Sequence, residues 1–374
     1  MLSFALVFQS VPPILNLIIS DFGLSYAQAG LLMSLFALPG VLVAIPSGII
    51  SDRFGVKRVG AASLVLMITG TLVFGVGNSF LYVCAGRVIS GVGALTLAIV
   101  LPQLLSRWFG GKELGIGMGV FNTAMPLGTI ASFNVLSAVG KSLGWRAPVL
   151  SITAVGIMAF LMFLWLFKEP PLGAKETGTG RLSGIIEVGI PVWLVGLAWM
   201  WFNSAFISFL TFSSGFFAAK DYEVGFAGFM SSIVMMGSLF LSPAVGYLVH
   251  RFGREETLIA LGGFSLSSLL LFVPTAPFTI PLLVLMAISA ALVPTPIFSL
   301  PSKLVKPENL GLGFGIFTVC QNAGVLMGPY LTGLAKDLTG EYVGSFYLMS
   351  LFAALQAVTA LILHFARTKV RQRD

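Results

Sequence analysis

A single arginine, Arg87, interrupts an otherwise apolar stretch of the chain. The segment LYVCAGRVISGVGAL, residues 81–95, surrounds it with Val, Ile, Leu, Gly and Ala. A guanidinium group keeps its charge at ordinary pH and presents five N–H donors in a planar fork, which matches carboxylates, phosphates and other small planar anions. The residue type therefore makes Arg87 a candidate ligand for an anion, and the elements around it decide whether it can act as one.

The composition places this stretch in a membrane. The chain of 374 residues is 57% hydrophobic and 9% charged, whereas soluble domains contain about 25% charged residues. A helix of about 20 mainly apolar residues spans a bilayer, and the sequence predicts twelve such spans, the first of them a retained helix and not a removable signal peptide. They lie at approximately residues 1–20, 26–50, 59–77, 81–105, 114–138, 146–167, 187–212, 226–249, 256–274, 278–301, 311–335 and 343–366.

The distribution of basic residues orients these spans. With both termini inside, the outer loops hold only Lys141, Arg146, Lys220 and Lys336, and every other basic residue except Arg87 falls on the inner side. This bias follows the positive-inside rule and predicts cytoplasmic termini. The net charge of +7 therefore reflects topology and contact with anionic lipid, not nucleic-acid binding.

An internal repeat divides the chain into two halves. The polar segment KEPPLGAKETGTGRLSG, residues 168–184, is the one long break between spans, and GIISDRFG at 48–55 recurs as GYLVHRFG at 246–253. Parallel repeats of six spans are typical of secondary transporters with a substrate site near the middle of the membrane. We predict an all-helical membrane protein with a six-helix bundle at 1–167, a cytoplasmic linker at 168–186 and a second six-helix bundle at 187–374.

Three motifs resemble those of the major facilitator superfamily. GIISDRFGVKR is similar to the family's loop motif between spans two and three, GRVISGVGAL resembles its span-four motif, and GWRAP at 144–148 is similar to the start of its span six. The resemblance covers the whole chain and implies transport by alternating access between the halves. In the family, the arginine of span four is linked to substrate binding or proton coupling.

The resemblance also implies a gating role for the loop motif. Asp52 would face the positive end of the span-eleven helix and stabilise the outward-open state, whereas His250 replaces the aspartate in the second copy. The two halves are therefore not expected to gate equivalently. The expected gating residues are Gly48, Asp52, Arg53, Gly55, Lys57, Gly246, Arg251 and Gly253.

Three interpretations of Arg87 remain open from the sequence. It can bind an anionic substrate, donate hydrogen bonds to backbone carbonyls or polar side chains across the bundle, or extend to the outer membrane surface. All fourteen acidic residues can be placed at helix ends or in loops. The sequence therefore offers no acid at mid-membrane to neutralise Arg87 or to carry protons.

Uncharged polar residues on the helices that the family places around its cavity complete the candidate site. Such residues also hold membrane helices together, and this alternative stays open. The candidate substrate-binding residues are Arg87, Gln9, Asn122, Thr211, Gln321 and Asn322.

We expect a secondary transporter of a small organic or inorganic anion such as a carboxylate. Efflux of neutral or lipophilic compounds and a transporter-like sensor are the alternatives. The sequence contains no nucleophile with a base, no metal cluster and no phosphate loop, so we expect no enzyme, no cofactor and no metal site. The expected partners are the bilayer, a small-molecule substrate and a coupling proton or sodium ion, for a monomer in the plasma or inner membrane.

Overall fold

The computed structural model describes residues 1–109, 111–167, 189–305 and 310–371, so the predicted linker at 168–186 lies outside the described residues. All regular structure in the described ranges is helical and forms twelve segments in the order of the predicted spans. Eleven of these described segments are long and apolar enough to cross a membrane. The other, Leu310–Thr339, is a 30-residue helix. The predicted fold class is confirmed.

Nine of the described segments are single helices. Several extend about one turn beyond the predicted ends. The helix of span two, for example, continues through Pro39 and Pro46 as far as Phe54. Their bounds are Tyr26–Phe54, Val56–Val76, Phe80–Trp108, Arg146–Leu166, Ile190–Ala218, Val224–Phe252, Glu255–Phe272, Leu310–Thr339 and Tyr342–Arg371.

Three described segments are interrupted. Span one consists of Leu2–Phe8, a 3-10 turn at Pro12–Ile14, and Leu15–Phe22. Span five consists of Gly111–Ala131, a π-helical piece at Ser132–Leu136, and Ser137–Leu143. Span ten consists of Thr279–Ala291, Pro294–Ser299 and Pro301–Leu304. Interruptions of this kind alter which backbone carbonyls are free to accept hydrogen bonds.

Glycines allow the helices around Arg87 to approach closely. A methyl group at Gly91 would lie 2.3 Å from the carbonyl oxygen of Phe36 in span two, and one at Gly86 would lie 2.5 Å from the backbone nitrogen of Phe74 in span three. Both contacts are too short for any side chain larger than hydrogen. Span four therefore packs against spans two and three through its backbone, as small residues permit in membranes, and Arg87 lies between these contacts.

The chain divides into two compact units. The first contains Met1–Lys175 together with Thr211–Ser232, and the second contains Glu176–Leu210 together with Ile233–Asp374. Within the first unit, the Asn134 Nδ2 lies 3.3 Å from the Ser232 hydroxyl, and the Lys141 ammonium lies 2.7 Å from the Glu223 carboxylate. The first unit therefore includes the end of span seven and the start of span eight in addition to the first six spans.

Candidate functional site

The break in span one frees backbone carbonyls at the end of its first helix. In an α-helix each carbonyl accepts from the N–H four residues later, and Pro12 and Pro13 have no N–H to donate to Phe8 and Gln9. The helix ends at Phe8. Carbonyl oxygens that are buried without a donor are costly, so this end of the helix requires donors from another part of the chain.

Arg87 supplies the donor for the Phe8 carbonyl and a further donor for the Val7 carbonyl, which also accepts from Ser10. The Arg87 side chain is 0% exposed, and each of its five N–H groups has an acceptor within hydrogen-bonding distance. The Nε donates to the Leu32 carbonyl at 3.0 Å, the Nη1 to the Val7 carbonyl at 2.9 Å and the Ser10 hydroxyl at 3.4 Å, and the Nη2 to the Phe8 carbonyl at 3.4 Å and the Met33 sulfur at 3.7 Å. Arg87 thereby joins span four to spans one and two.

Aromatic rings surround the guanidinium carbon. It lies 4.7 Å from the ring centre of Phe36 and 5.9 Å from that of Phe74, within the range of cation–π attraction. Among the described residues, no carboxylate forms an ion pair with Arg87. The hydrogen bonds are satisfied, but the positive charge has no described counter-charge.

These contacts distinguish the three interpretations of Arg87. A fully buried side chain does not extend to the outer surface. In this conformation, an anion would reach the guanidinium only by displacing one of these five acceptors. The geometry therefore favours the role of a hydrogen-bond donor across the bundle.

A second polar group lies directly beside these carbonyls. Gln9 follows Phe8, is 0% exposed, and has no hydrogen-bond partner for either its Oε1 or its Nε2. Ser132, at the start of the π-helical piece of span five, is also 0% exposed and has no partner for its hydroxyl. Buried polar groups of native proteins are rarely left without a partner, so both require an explanation.

Gln9 and Ser132 belong to the same contact between spans one and five. A methyl group at Gly128 would lie 2.4 Å from the Ala5 Cβ, and each unpaired residue follows that contact by four positions. Further along, the 3-10 turn of span one packs against the π-helical piece of span five. The two interruptions thus meet where the unpaired amide and hydroxyl lie.

Sequence reasoning did not single out Ser132. π-helical pieces occur frequently at functional sites, but no residue in GTIASFNVLS, residues 128–137, marks one. The signal for the break in span one was present in Pro12 and Pro13. Only the structure shows that the two irregular elements touch.

The other predicted binding residues are distributed over both units. Asn122 lies on an exposed face of span five, and Thr211 is buried in the first unit. In the second unit, Gln321 is half-buried, and Asn322 is buried and donates to the Thr318 carbonyl at 2.9 Å. Of the six candidates, the structure brings Arg87 and Gln9 into one neighbourhood.

The predicted gating loop is described in part. Gly55 has φ +88° and joins the helices of spans two and three without an intervening loop, and Gly253 has φ +58° in the second copy. The Arg53 guanidinium carbon lies 5.6 Å from the Phe54 ring centre. Gly48 and Asp52 are not among the residues whose side chains the structure describes. The expected contact of Asp52 with span eleven stays a prediction.

The remaining gating candidates form local contacts. Lys57 is half-buried. The Arg251 Nη1 donates to the Tyr247 hydroxyl at 3.2 Å, and a methyl group at Gly246 would lie 3.8 Å from the Thr295 side chain, at an ordinary van der Waals distance.

The GWRAP motif links three of the first six spans at one end of the bundle. The Trp145 Nε1 and the Arg146 Nη1 both donate to one carboxylate oxygen of Asp21, each at 2.9 Å. The Arg146 Nη2 donates to the Gly77 carbonyl at 3.3 Å. The start of span six is thereby joined to the ends of spans one and three.

Known proteins show the same sequence pattern and fold. The family model described as Major Facilitator Superfamily matches residues 1–225 and 192–374. The lysosomal dipeptide transporter MFSD1 of Danio rerio is 25% identical, with 92% of this chain and 80% of the relative covered. The hexuronate transporter of Bacillus subtilis is 23% identical, with 90% of this chain and 86% of the relative covered.

Solved structures share the fold. A bacterial homologue of the human lysosomal transporter Spinster, in an inward-facing and unoccupied conformation, matches with a TM-score of 0.79 and 16% identity, covering 97% of this chain and 93% of that one. The nucleoside transporter NupG, as its D323A mutant, matches with a TM-score of 0.77 and 16% identity, covering 97% and 99%. The resemblance inferred from the loop and span-four motifs is confirmed. This chain belongs to the Major Facilitator Superfamily, whose members are transporters, and it is a multi-pass integral membrane protein.

Proposed function

We propose that the protein is a secondary transporter that moves a small carboxylate-bearing solute by alternating access. One observation carries the proposal: Arg87, a buried positive charge with no counter-charge among the described residues, donates to the Phe8 carbonyl, and the next residue, Gln9, has a buried amide without a partner. A carboxylate would accept hydrogen bonds from the Gln9 Nε2 and the Ser132 hydroxyl.

Arg87 acts as a positioning residue in this proposal. Its hydrogen bonds to the Val7 and Phe8 carbonyls hold the end of the first helix and therefore the backbone of Gln9. Its charge attracts an anion without direct contact, because the electrostatic interaction at a given distance is stronger in a medium of low dielectric constant than in water. This division of roles reconciles a candidate anion site with a guanidinium group whose donors are all in use.

The named substrates of the relatives are compatible with this chemistry. Dipeptides and hexuronates differ in size and in their other groups, but both carry a carboxylate. We therefore expect the carboxylate to be the part of the substrate that the first unit recognises.

A neutral solute is the second candidate. All five Arg87 donors are occupied by uncharged acceptors, and an amide such as Gln9 binds neutral polar groups as well as carboxylates. Efflux of neutral or lipophilic compounds would then replace anion transport.

We further propose a monomer in the plasma or inner membrane with both termini cytoplasmic. Coupling to a proton or to sodium is part of the same proposal. An anionic substrate could itself carry the coupled proton, because Arg87 keeps its own.

Ligand-induced thermal stabilisation tests the proposed site. The temperature of unfolding is measured for purified wild type, Gln9→Leu and Ser132→Ala. The ligands are three carboxylates (acetate, glucuronate and dialanine), and neutral acetamide is the comparison. We expect at least one carboxylate to stabilise the wild type, and its affinity to fall about tenfold in Gln9→Leu, equivalent to about 1.4 kcal/mol.

Ser63→Ala provides the matched control. Ser63 is equally buried, but its hydroxyl donates to the Val59 carbonyl at 2.7 Å within its own helix, so its loss should leave ligand binding unchanged. Stabilisation by acetamide equal to that by the carboxylates would favour the neutral solute. Carboxylate binding that is unchanged in Gln9→Leu would refute the site.

A further inference from the structure

The second unit contains a stack of aromatic rings that the proposed carboxylate site does not use. Trp199 is stacked between Phe202, with ring centres 5.3 Å apart and planes at 10°, and Phe317, at 5.5 Å and 7°. Phe206 continues the stack beyond Phe202 at 5.2 Å and 13°. Rings from spans seven and eleven thereby form one slab with nearly parallel faces.

The indole N–H of Trp199 has no partner within this slab. Trp199 is 6% exposed, and its Nε1 is buried without a hydrogen bond among the described residues. Buried tryptophan N–H groups usually find an acceptor, and leaving such a donor unpaired costs about 1–3 kcal/mol. The indole ring packs against Phe202 and Phe317. The interaction that Trp199 lacks is therefore the hydrogen bond that its Nε1 can donate.

Phe298 packs against this slab from span ten. Its ring centre lies 5.2 Å from that of Trp199 and 4.9 Å from that of Phe317, edge-on to both, yet the residue remains 47% exposed. It belongs to the six-residue helix Pro294–Ser299, which is separated from Thr279–Ala291 and is followed by Pro301. Pro294, Pro296 and Pro301 have no backbone N–H to donate, which lowers the cost of moving this short helix relative to its neighbours.

We infer that Trp199 and Phe298 form a binding site for a planar group that carries a hydrogen-bond acceptor. Displacement of Phe298 opens the edge of the slab at Trp199 and Phe317 and gives a ligand access to the Trp199 N–H. A planar ligand then replaces the Phe298 ring against Phe317, and its carbonyl or carboxylate oxygen accepts from the Trp199 Nε1. A purely aliphatic ligand would leave the N–H unpaired and is therefore disfavoured.

This site goes beyond the proposed carboxylate recognition. It is built from described residues of the second unit and contains no charged side chain among its five rings. Neutral planar ligands should bind as well as anionic ones, which allows the two proposals to be tested separately.

Benzamide and cyclohexanecarboxamide provide the probes, because they share the amide but differ in planarity. We expect benzamide to stabilise the purified wild type and to bind about tenfold more tightly than cyclohexanecarboxamide. Trp199→Phe keeps a ring in the slab but removes the N–H, and should lower the affinity for benzamide about tenfold. Its thermal stability in the absence of ligand should equal or exceed that of the wild type.

Trp193→Phe is the matched control. Trp193 is in the same helix and is 42% exposed, so the same substitution there should leave benzamide binding unchanged. Benzamide affinity within twofold of wild type in Trp199→Phe would overturn the inference, as would the absence of benzamide binding to the wild type at millimolar concentration.

Indole N–H resonances give a second measurement that does not depend on the folding of a variant. In wild type labelled with ¹⁵N-tryptophan, one of the six indole signals should shift on addition of benzamide and not on addition of acetate. If no indole signal shifts, the inference is wrong. Failure of the Gln9 experiment would leave this result unaffected.

Discussion

Arg87 carries a full positive charge in a helix bundle where no described acidic residue pairs with it. Insertion of an arginine at the centre of a membrane helix costs about 2.5–3.5 kcal/mol. Its five hydrogen bonds and the two nearby rings offset this cost. The sequence located the charge and left its role open, because partners from Val7, Phe8 and Leu32 depend on tertiary packing that no local pattern encodes.

Arg87→Lys tests this account at the scale of one residue. Lysine keeps the charge but has three donors where arginine has five, so at least two acceptors lose their partner, at about 1–3 kcal/mol for each buried group. We expect a clear fall in the temperature of unfolding. Arg254→Lys, at an exposed position, should behave as wild type. A stability of Arg87→Lys within about 0.5 kcal/mol of wild type, the usual effect of a surface substitution, would contradict the account.

At the scale of the elements, apolar length and glycine spacing specify most of the architecture. The sequence located all twelve spans because hydropathy reports directly on membrane insertion. It did not reveal the π-helical piece at Ser132–Leu136, which departs from regular helix through a shift in hydrogen bonding and not through a distinctive residue type. The candidate site therefore depends on two irregular elements, and the sequence indicated only one of them, the break in span one.

Gly91→Ala tests the contact between spans two and four. The added methyl group would lie 2.3 Å from the Phe36 carbonyl oxygen, so the helices must separate, and overpacking of this kind costs about 1–3 kcal/mol. Thermal unfolding of the purified variant measures the loss. Gly119→Ala makes the same change where nothing lies within 4 Å and should be neutral. Equal stability of the two variants would exclude a tight contact at Gly91.

At the scale of the whole molecule, the sequence repeat and the compact units describe different properties. The repeat identifies equivalent spans in two halves of six, which stays a prediction of the domain organisation. The compact units depend on which residues touch, and they assign Thr211–Ser232 to the first unit. A repeat in sequence contains no information about such contacts, since it compares residues that are related by symmetry and not by proximity.

The Lys141–Glu223 pair gives the first unit an expected dependence on pH. The hydrogen bond from Lys141, supported by the backbone N–H groups of Gly225 and Phe226, lowers the pKa of Glu223 below its ordinary value of 4.5. The stabilisation is therefore present above that value and is lost as the pH falls through the lowered pKa. Both side chains are more than half exposed, so the effect is small and sensitive to salt.

Thermal unfolding across acidic pH, compared between wild type and Glu223→Gln, measures this effect. The wild type should be more stable above about pH 5, and the difference should disappear toward lower pH as Glu223 becomes protonated. Glu341→Gln removes another exposed acid and controls for the change in net charge. A difference that grows on acidification would show that the sign is wrong.

The order of the acceptors along the chain has a consequence for synthesis. The Leu32 and Val7 carbonyls precede Arg87 by 55 and 80 residues, so they leave the ribosome and enter the bilayer before span four does. Domains form from the N-terminus as the chain is made. The guanidinium group therefore meets spans whose acceptor carbonyls are already in place, and insertion of the charge is coupled to assembly of the first bundle. A version of the chain in which span one was synthesised last would have to hold that charge in the membrane without its span-one acceptors.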